Sequence, residues 1–143
     1  MEKVYSKIKP EEVLGIIFKV EDMVAQNTAG IDITSEKEFL QVRSLKANAK
    51  KIYSAHKHLV QLRNSDKTQE SLVIIRGSIK GKFYDLDDKE ISEFTLNPGD
   101  CIVLFSGGHS FEVIKDDTLF YEYKNGPYNG KVADKIFIRG ENV

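Results

Sequence analysis

This 143-residue chain contains three histidines, and two of them stand one residue apart in His56-Lys57-His58. On a β-strand, residues i and i+2 project from the same face, so both imidazoles would point one way, as two adjacent corners of a coordination sphere. The third, His109, follows the Gly107-Gly108 turn and opens another extended run, where its ring can face the same interior. Glu70 heads the apolar run 72–75, which would set a carboxylate at the mouth of that interior. Three imidazoles and one carboxylate make a mixed nitrogen and oxygen donor set. It suits a divalent Fe, Mn, Ni, Cu or Zn ion, and the donors alone do not choose among them. Two histidines on a solvent-facing strand would have the same sequence, so the pattern gains meaning only from its surroundings.

Those surroundings are short extended segments. Residues 39–45 alternate, and 51–58 is a second extended candidate. The run 72–75 is continuously apolar, and beyond Gly77 the pattern Ile79-x-Gly81-x-Phe83 alternates again. Residues 85–89 form a hairpin turn signal, and 93–96 returns. Asn97-Pro98-Gly99-Asp100 is a strong turn signal that launches 101–105, followed by 109–114 and 118–124. Short strands at about ten-residue spacing with no competing helical period predict an all-β sandwich or barrel. The first 35 residues are expected to form an N-terminal arm packed on a domain spanning 36–143. Its apolar run 13–20 fits a strand or a short helix equally well.

Bulk properties narrow the partners. Twenty-one basic against 22 acidic residues leave a formal charge of −1, with no basic patch of the kind nucleic acid requires. The single cysteine, Cys101, cannot form an internal disulfide, which fits a reducing, cytoplasmic setting. No apolar stretch reaches the roughly 20 residues of a membrane helix, so neither nucleic acid nor membrane is an expected partner.

The histidines and their context resemble the cupin superfamily. Cupins carry His-x-His, then a carboxylate, six residues and a glycine. A second motif has Pro-Gly-Asp, an apolar strand, a small-residue turn and a histidine. Here His56-Lys57-His58 precedes Glu70, residues 71–76 and Gly77, and Pro98-Gly99-Asp100 leads through 101–105 to Ser106-Gly107-Gly108-His109. The resemblance covers residues 36–126. It departs from the common pattern in the 11 residues between His58 and Glu70, where three or four are usual, and in lacking the usual Pro-x-Gly before the last histidine. Thr68-Gln69-Glu70, the Ser-Gly-Gly-His turn and Gly126-Pro127-Tyr128 are similar to marks of small bacterial cupins found beside surface-polysaccharide genes. The resemblance implies a double-stranded β-helix (a jelly-roll barrel), one divalent transition metal ion on His56, His58, Glu70 and His109, and a homodimer.

A metal held with open positions can act as a Lewis acid, activate water or bind dioxygen. The expected function is that of a metal-dependent enzyme, an isomerase or oxygenase acting on a small polar substrate such as a sugar or sugar-derived acid. The alternatives are a non-catalytic small-ligand-binding module and a metal-free epimerase-like jelly roll using proton transfer. Candidate catalytic residues are Glu70 and Tyr128, and candidate substrate contacts are Gln69, Arg76, Tyr121, Tyr123 and Lys124. Leu72, Ile74, Phe111 and Val113 are expected to wall the interior, with Ser110 and Glu112 facing out. Cys101 is expected to be a buried structural thiol.

Overall fold

Alternating strands hide their apolar faces only when two sheets meet, and this chain forms two that do. The computed structural model describes residues 1–138; the last five residues of the expected 36–143 domain lie outside the described residues. The strands are β1 (Glu2–Tyr5), β2 (Val13–Phe18), β3 (Gly30–Asp32), β4 (Arg43–Leu45) and β5 (Glu70–Arg76). They continue with β6 (Ile79–Tyr84), β7 (Glu90–Leu96), β8 (Cys101–Leu104), β9 (Gly108–Val113) and β10 (Leu119–Lys124). Two short helices, α1 (Val20–Ala25) and α2 (Lys131–Asp134), complete the described elements. The fold class is all-β.

The first sheet runs β1-β2-β8-β5-β10 and the second β7-β6-β9, with β3 and β4 as a separate hairpin; every pairing is antiparallel. Register sorts the faces. Leu72 lies opposite Ile102 on β8 and Glu122 on β10, so the even-numbered side chains of β5 look toward the second sheet. Leu14, Leu72, Ile74, Ile102 and Leu104 there meet Ile79, Phe83, Phe94 and Leu96 in one core. Each such side chain removed from water contributes about 1.5–3 kcal/mol. The other face of the first sheet carries Ile16, Phe18, Cys101, Val103 and Phe105, covered by Ile31, Ile33, Leu40 and Val42. The apolar run near the N-terminus is both of its candidate structures in turn. Residues 13–18 are a strand bonded to β8, and α1 follows at once.

Two expected extended segments differ. Of 39–45 only Arg43–Leu45 is a strand, because the backbone bends there to bring the Leu40 N–H onto the Gln69 side chain at 2.8 Å. Residues 51–58 lie in no strand and are exposed, with no sheet edge engaging their backbone.

The turns that aim the strands are chemically specified. Gly77 (φ 81°) links β5 to β6, where a Cβ would fall 2.6 Å from the Thr118 Cα. In the 97–100 turn Gly99 has φ 88°, and the buried Asp100 carboxylate accepts from the Asn97 N–H, the Val20 N–H and the Lys19 ammonium, each at 2.9 Å. One carboxylate thus ties the start of α1 to the turn entering β8. Asp100→Ala is expected to cost about 3 kcal/mol, since it orphans two backbone donors and leaves the Lys19 ammonium only the Thr95 carbonyl; urea unfolding measures it, and a loss under about 1 kcal/mol would show that the turn holds through its backbone alone.

Cys101 is buried, its sulfur 3.3 Å from the Ser71 hydroxyl, and burial pushes the thiol up from its ordinary range. Native protein is therefore expected to react with iodoacetamide at least about a hundred-fold more slowly than unfolded protein. Comparable rates in native buffer and in urea would contradict this placement.

Candidate functional site

Glu70 is the first residue of β5 and His109 the second of β9, so they come from different sheets. Register gives both the same interior. Glu70 shares its face with Leu72 and Ile74, and His109 lies opposite the buried Phe83. Their side chains meet at the end of the core, with His109 Nε2 3.2 Å from Glu70 Oε2. Glu70 is 5% exposed, while His109 keeps more than a quarter of its side chain in water. Phe111, two residues along β9, stacks parallel to the His109 ring and meets Phe120 edge-on, which fixes the imidazole plane.

The second carboxylate oxygen, Oε1, faces two ammonium groups. Lys124 Nζ, from the β10 residue paired with Glu70, is 3.7 Å away, and Lys135 Nζ is 3.8 Å away. Asp134 draws Lys124 aside at 2.8 Å and accepts a weak hydrogen bond from the Thr68 hydroxyl at 3.4 Å. The Tyr128 ring lies 4.4 Å from the same ammonium nitrogen. The His109 hydrogen bond, reinforced by charge from His109, Lys135 and Lys124, holds the Glu70 carboxyl below its usual range against the opposing effect of burial. Asp134 in turn raises the Lys124 ammonium. The arrangement offers a buried carboxylate beside an imidazole, a pair able to ligate a cation or to exchange a proton with a bound molecule.

Among the candidate residues, Glu70, His109, Lys124 and Tyr128 therefore gather at one mouth. His56 and His58 stand on the exposed 51–65 segment, their rings 5.3 Å apart and the His56 Nδ1 2.9 Å from the Ser54 carbonyl oxygen. Among the described residues, no three His, Cys, Asp or Glu side chains are grouped to hold an ion. Gln69 alternates to the opposite face from Glu70, where its amide binds the Leu40 N–H and, at 2.6 Å, the Glu38 carboxylate. Arg76 closes the far end of β5, about 20 Å along the strand from Glu70, and donates to the Asp117 carbonyl. Tyr121 and Tyr123 pair with Val73 and Ser71 on the outer face of the first sheet and are exposed.

Asp134 and Lys135 were not singled out from sequence. They lie at the end of α2 in a mostly apolar stretch after the last strand, and only the fold of that segment over the mouth brings them to Glu70. A surface cleft of about 720 Å³ lies between residues 63–68 and 125–129, lined by Arg63, Lys67, Asn125 and Pro127 among others. Neither Glu70 nor His109 lines it, and its lining holds no histidine, so the chemistry places the site at the mouth. No helix of the described residues is long and apolar enough to cross a membrane. No family model matches this chain, and neither a curated protein nor a solved structure is similar enough to count as a match.

Proposed function

We propose that this chain is a metal-binding cupin, an enzyme acting on a small polar substrate of the sugar or sugar-acid type. The observation that carries the reading is the Glu70–His109 pair. A carboxylate and an imidazole from two sheets stand 3.2 Å apart at the end of a closed core, the separation of neighbouring donors around one small ion. Two of the four expected donors are neighbours, which supports the reading.

His56 and His58 complete the set through the segment that bears them. In the described structure β9 is the edge strand of its sheet, and its inward side chains Phe111 and Val113 are 38% and 51% exposed. Apolar surface is left in water where another strand would lie. The 51–65 segment has the sequence to supply that strand: Ile52, His56, His58, Val60 and Leu62 share one parity, and Ile52, Val60 and Leu62 are at least 80% exposed. Laid along β9, this face would turn both histidines into the interior that holds His109. The strand so added would make the second sheet four-stranded and complete the jelly-roll reading. His56, His58, Glu70 and His109 would then hold one divalent transition metal ion, which supplies Lewis-acid activation of the substrate's oxygen groups.

The test is elemental analysis of protein purified without added metal. Wild type is expected to carry about one transition metal ion per chain, and H56A/H58A, H109A and E70Q each to lose it while still unfolding in one cooperative urea transition. Metal-free wild type, or full retention by H56A/H58A, would defeat the proposal.

One observation favours a second reading. His109 already bonds directly to Glu70, so the pair could act as a metal-free acid–base couple of the epimerase type. That reading requires ligand binding to survive chelation unchanged.

A further inference from the structure

Residues 128–138 cross the mouth after β10, and they hold to the strands beneath almost entirely through polar side chains. Among the described residues, the backbone hydrogen bonds of 126–138 run within the segment, from Ala133 and Asp134 to Gly130 and from Lys135 to Lys131. No described strand takes this stretch as a neighbour. Asp134 accepts from Lys124 at 2.8 Å and from the Thr68 hydroxyl at 3.4 Å, and Lys135 Nζ approaches Glu70 at 3.8 Å. The one apolar contact is Ile138 against Gly108, where a Cβ would sit 2.5 Å from Ile138 Cδ1. These contacts bracket the Glu70–His109 pair, since Lys135 stands at the Glu70 carboxylate and Gly108 precedes His109. The segment's other aliphatic side chains point away, with Val132 98% and Ile136 95% exposed. Charge toward the protein and hydrocarbon toward water is the inverse of a packed element. Hydrophobic burial therefore does little to hold the segment down, and partly hydrated ion pairs add only a modest net attraction.

We propose that residues 128–138 are a lid on the Glu70–His109 mouth, latched by the Asp134–Lys124 pair, and that it lifts to admit a molecule to the carboxylate and the imidazole. The proposal rests on the mouth being the site and is independent of any metal ion. With the lid down, Asp134 and Lys135 complete the charge balance around Glu70 and keep it from water. With the lid up, Glu70 retains His109 and Lys124, so the buried carboxylate still has partners from β9 and β10. None of the strand pairings has to break, which makes opening a local event of low cost. Closure behind a bound molecule would exclude water from the reacting groups.

The test is the rate at which diethyl pyrocarbonate modifies His109, read by mass spectrometry in full-length wild type and D134A. Asp134 contacts Lys124 and Thr68 rather than His109, so its removal acts through the latch and does not thin the cover over the ring. EDTA is present so that no ion shields the imidazole, and the reaction is run at about pH 8, above the ordinary imidazole pKa. The exposed His56 and His58 serve as internal standards, and protection of the buried Cys101 from iodoacetamide reports an intact core. Relative to His56 and His58, His109 is expected to react about five-fold faster or more in D134A, with Cys101 still protected. An unchanged His109 ratio would overturn the lid. So would a rise that comes with loss of Cys101 protection, because the segment would then be a structural part of the core. Wild type purified without metal, together with faster His109 modification in D134A, would sink the metal reading and keep the lid.

Discussion

A carboxylate withdrawn from water must be met by positive charge or hydrogen-bond donors, and the end of this core is organised around that requirement at Glu70. Its two oxygens divide the task. One takes the His109 imidazole from the second sheet, and the other faces ammonium groups from β10 and from the chain beyond it. Three segments distant in sequence are thereby drawn to one point. The same concentration of compensating groups makes the spot chemically capable, since whatever satisfies a buried anion can be exchanged for a metal ion or a proton.

That convergence follows from antiparallel register. Side chains alternate along a strand, so a one-residue slip of β9 against β6 would point His109 at solvent and bring Ser110 inside. The slip is prevented by the apolar residues of the same parity. Phe83, opposite His109, is fully buried in the common core, and Phe111 is fixed against Phe120. On the other sheet, Leu72 and Ile74 pin the parity of β5 and carry Glu70 with them. Packing energy spent on the core therefore also aims the two groups that do chemistry. The Asp100 network acts one step earlier by fixing where β8 begins, and β8 is the strand against which β5 is registered.

Much of this was legible in the residues. The turn at 97–100, the glycine at 77 and the alternation of 79–83 all specify local geometry through backbone chemistry, and each is found in place. The inward direction of His109 followed from parity once β9 was recognised. The functions of Gln69, Arg76, Tyr121 and Tyr123 were not legible, because polar type says nothing about which end or face of a strand a residue occupies. Gln69 illustrates the point: one position before Glu70, alternation sends it to the opposite face, where it ties down residues 38–40. Lys135 was invisible for another reason. Its position depends on the path of an irregular segment, and no periodicity encodes that path.

The segment bearing His56 and His58 is where local pattern and tertiary placement part. Its two histidines share one parity, but apolar residues stand on both, and a strand is stable only beside an edge that accepts its hydrogen bonds. Within the described residues two features remain unmatched: the outer edge of β9 with its watered Phe111 and Val113, and the exposed Ile52, Leu59, Val60 and Leu62. Each has what the other lacks. Closing one on the other would bury apolar surface on both, but it would also confine a long connection and bring two more imidazoles toward His109. An ion shared by those rings and Glu70 would turn that crowding into ligation. On the proposed reading, metal binding and closure of the second sheet would be one equilibrium, with the ion supplying the free energy that orders the strand.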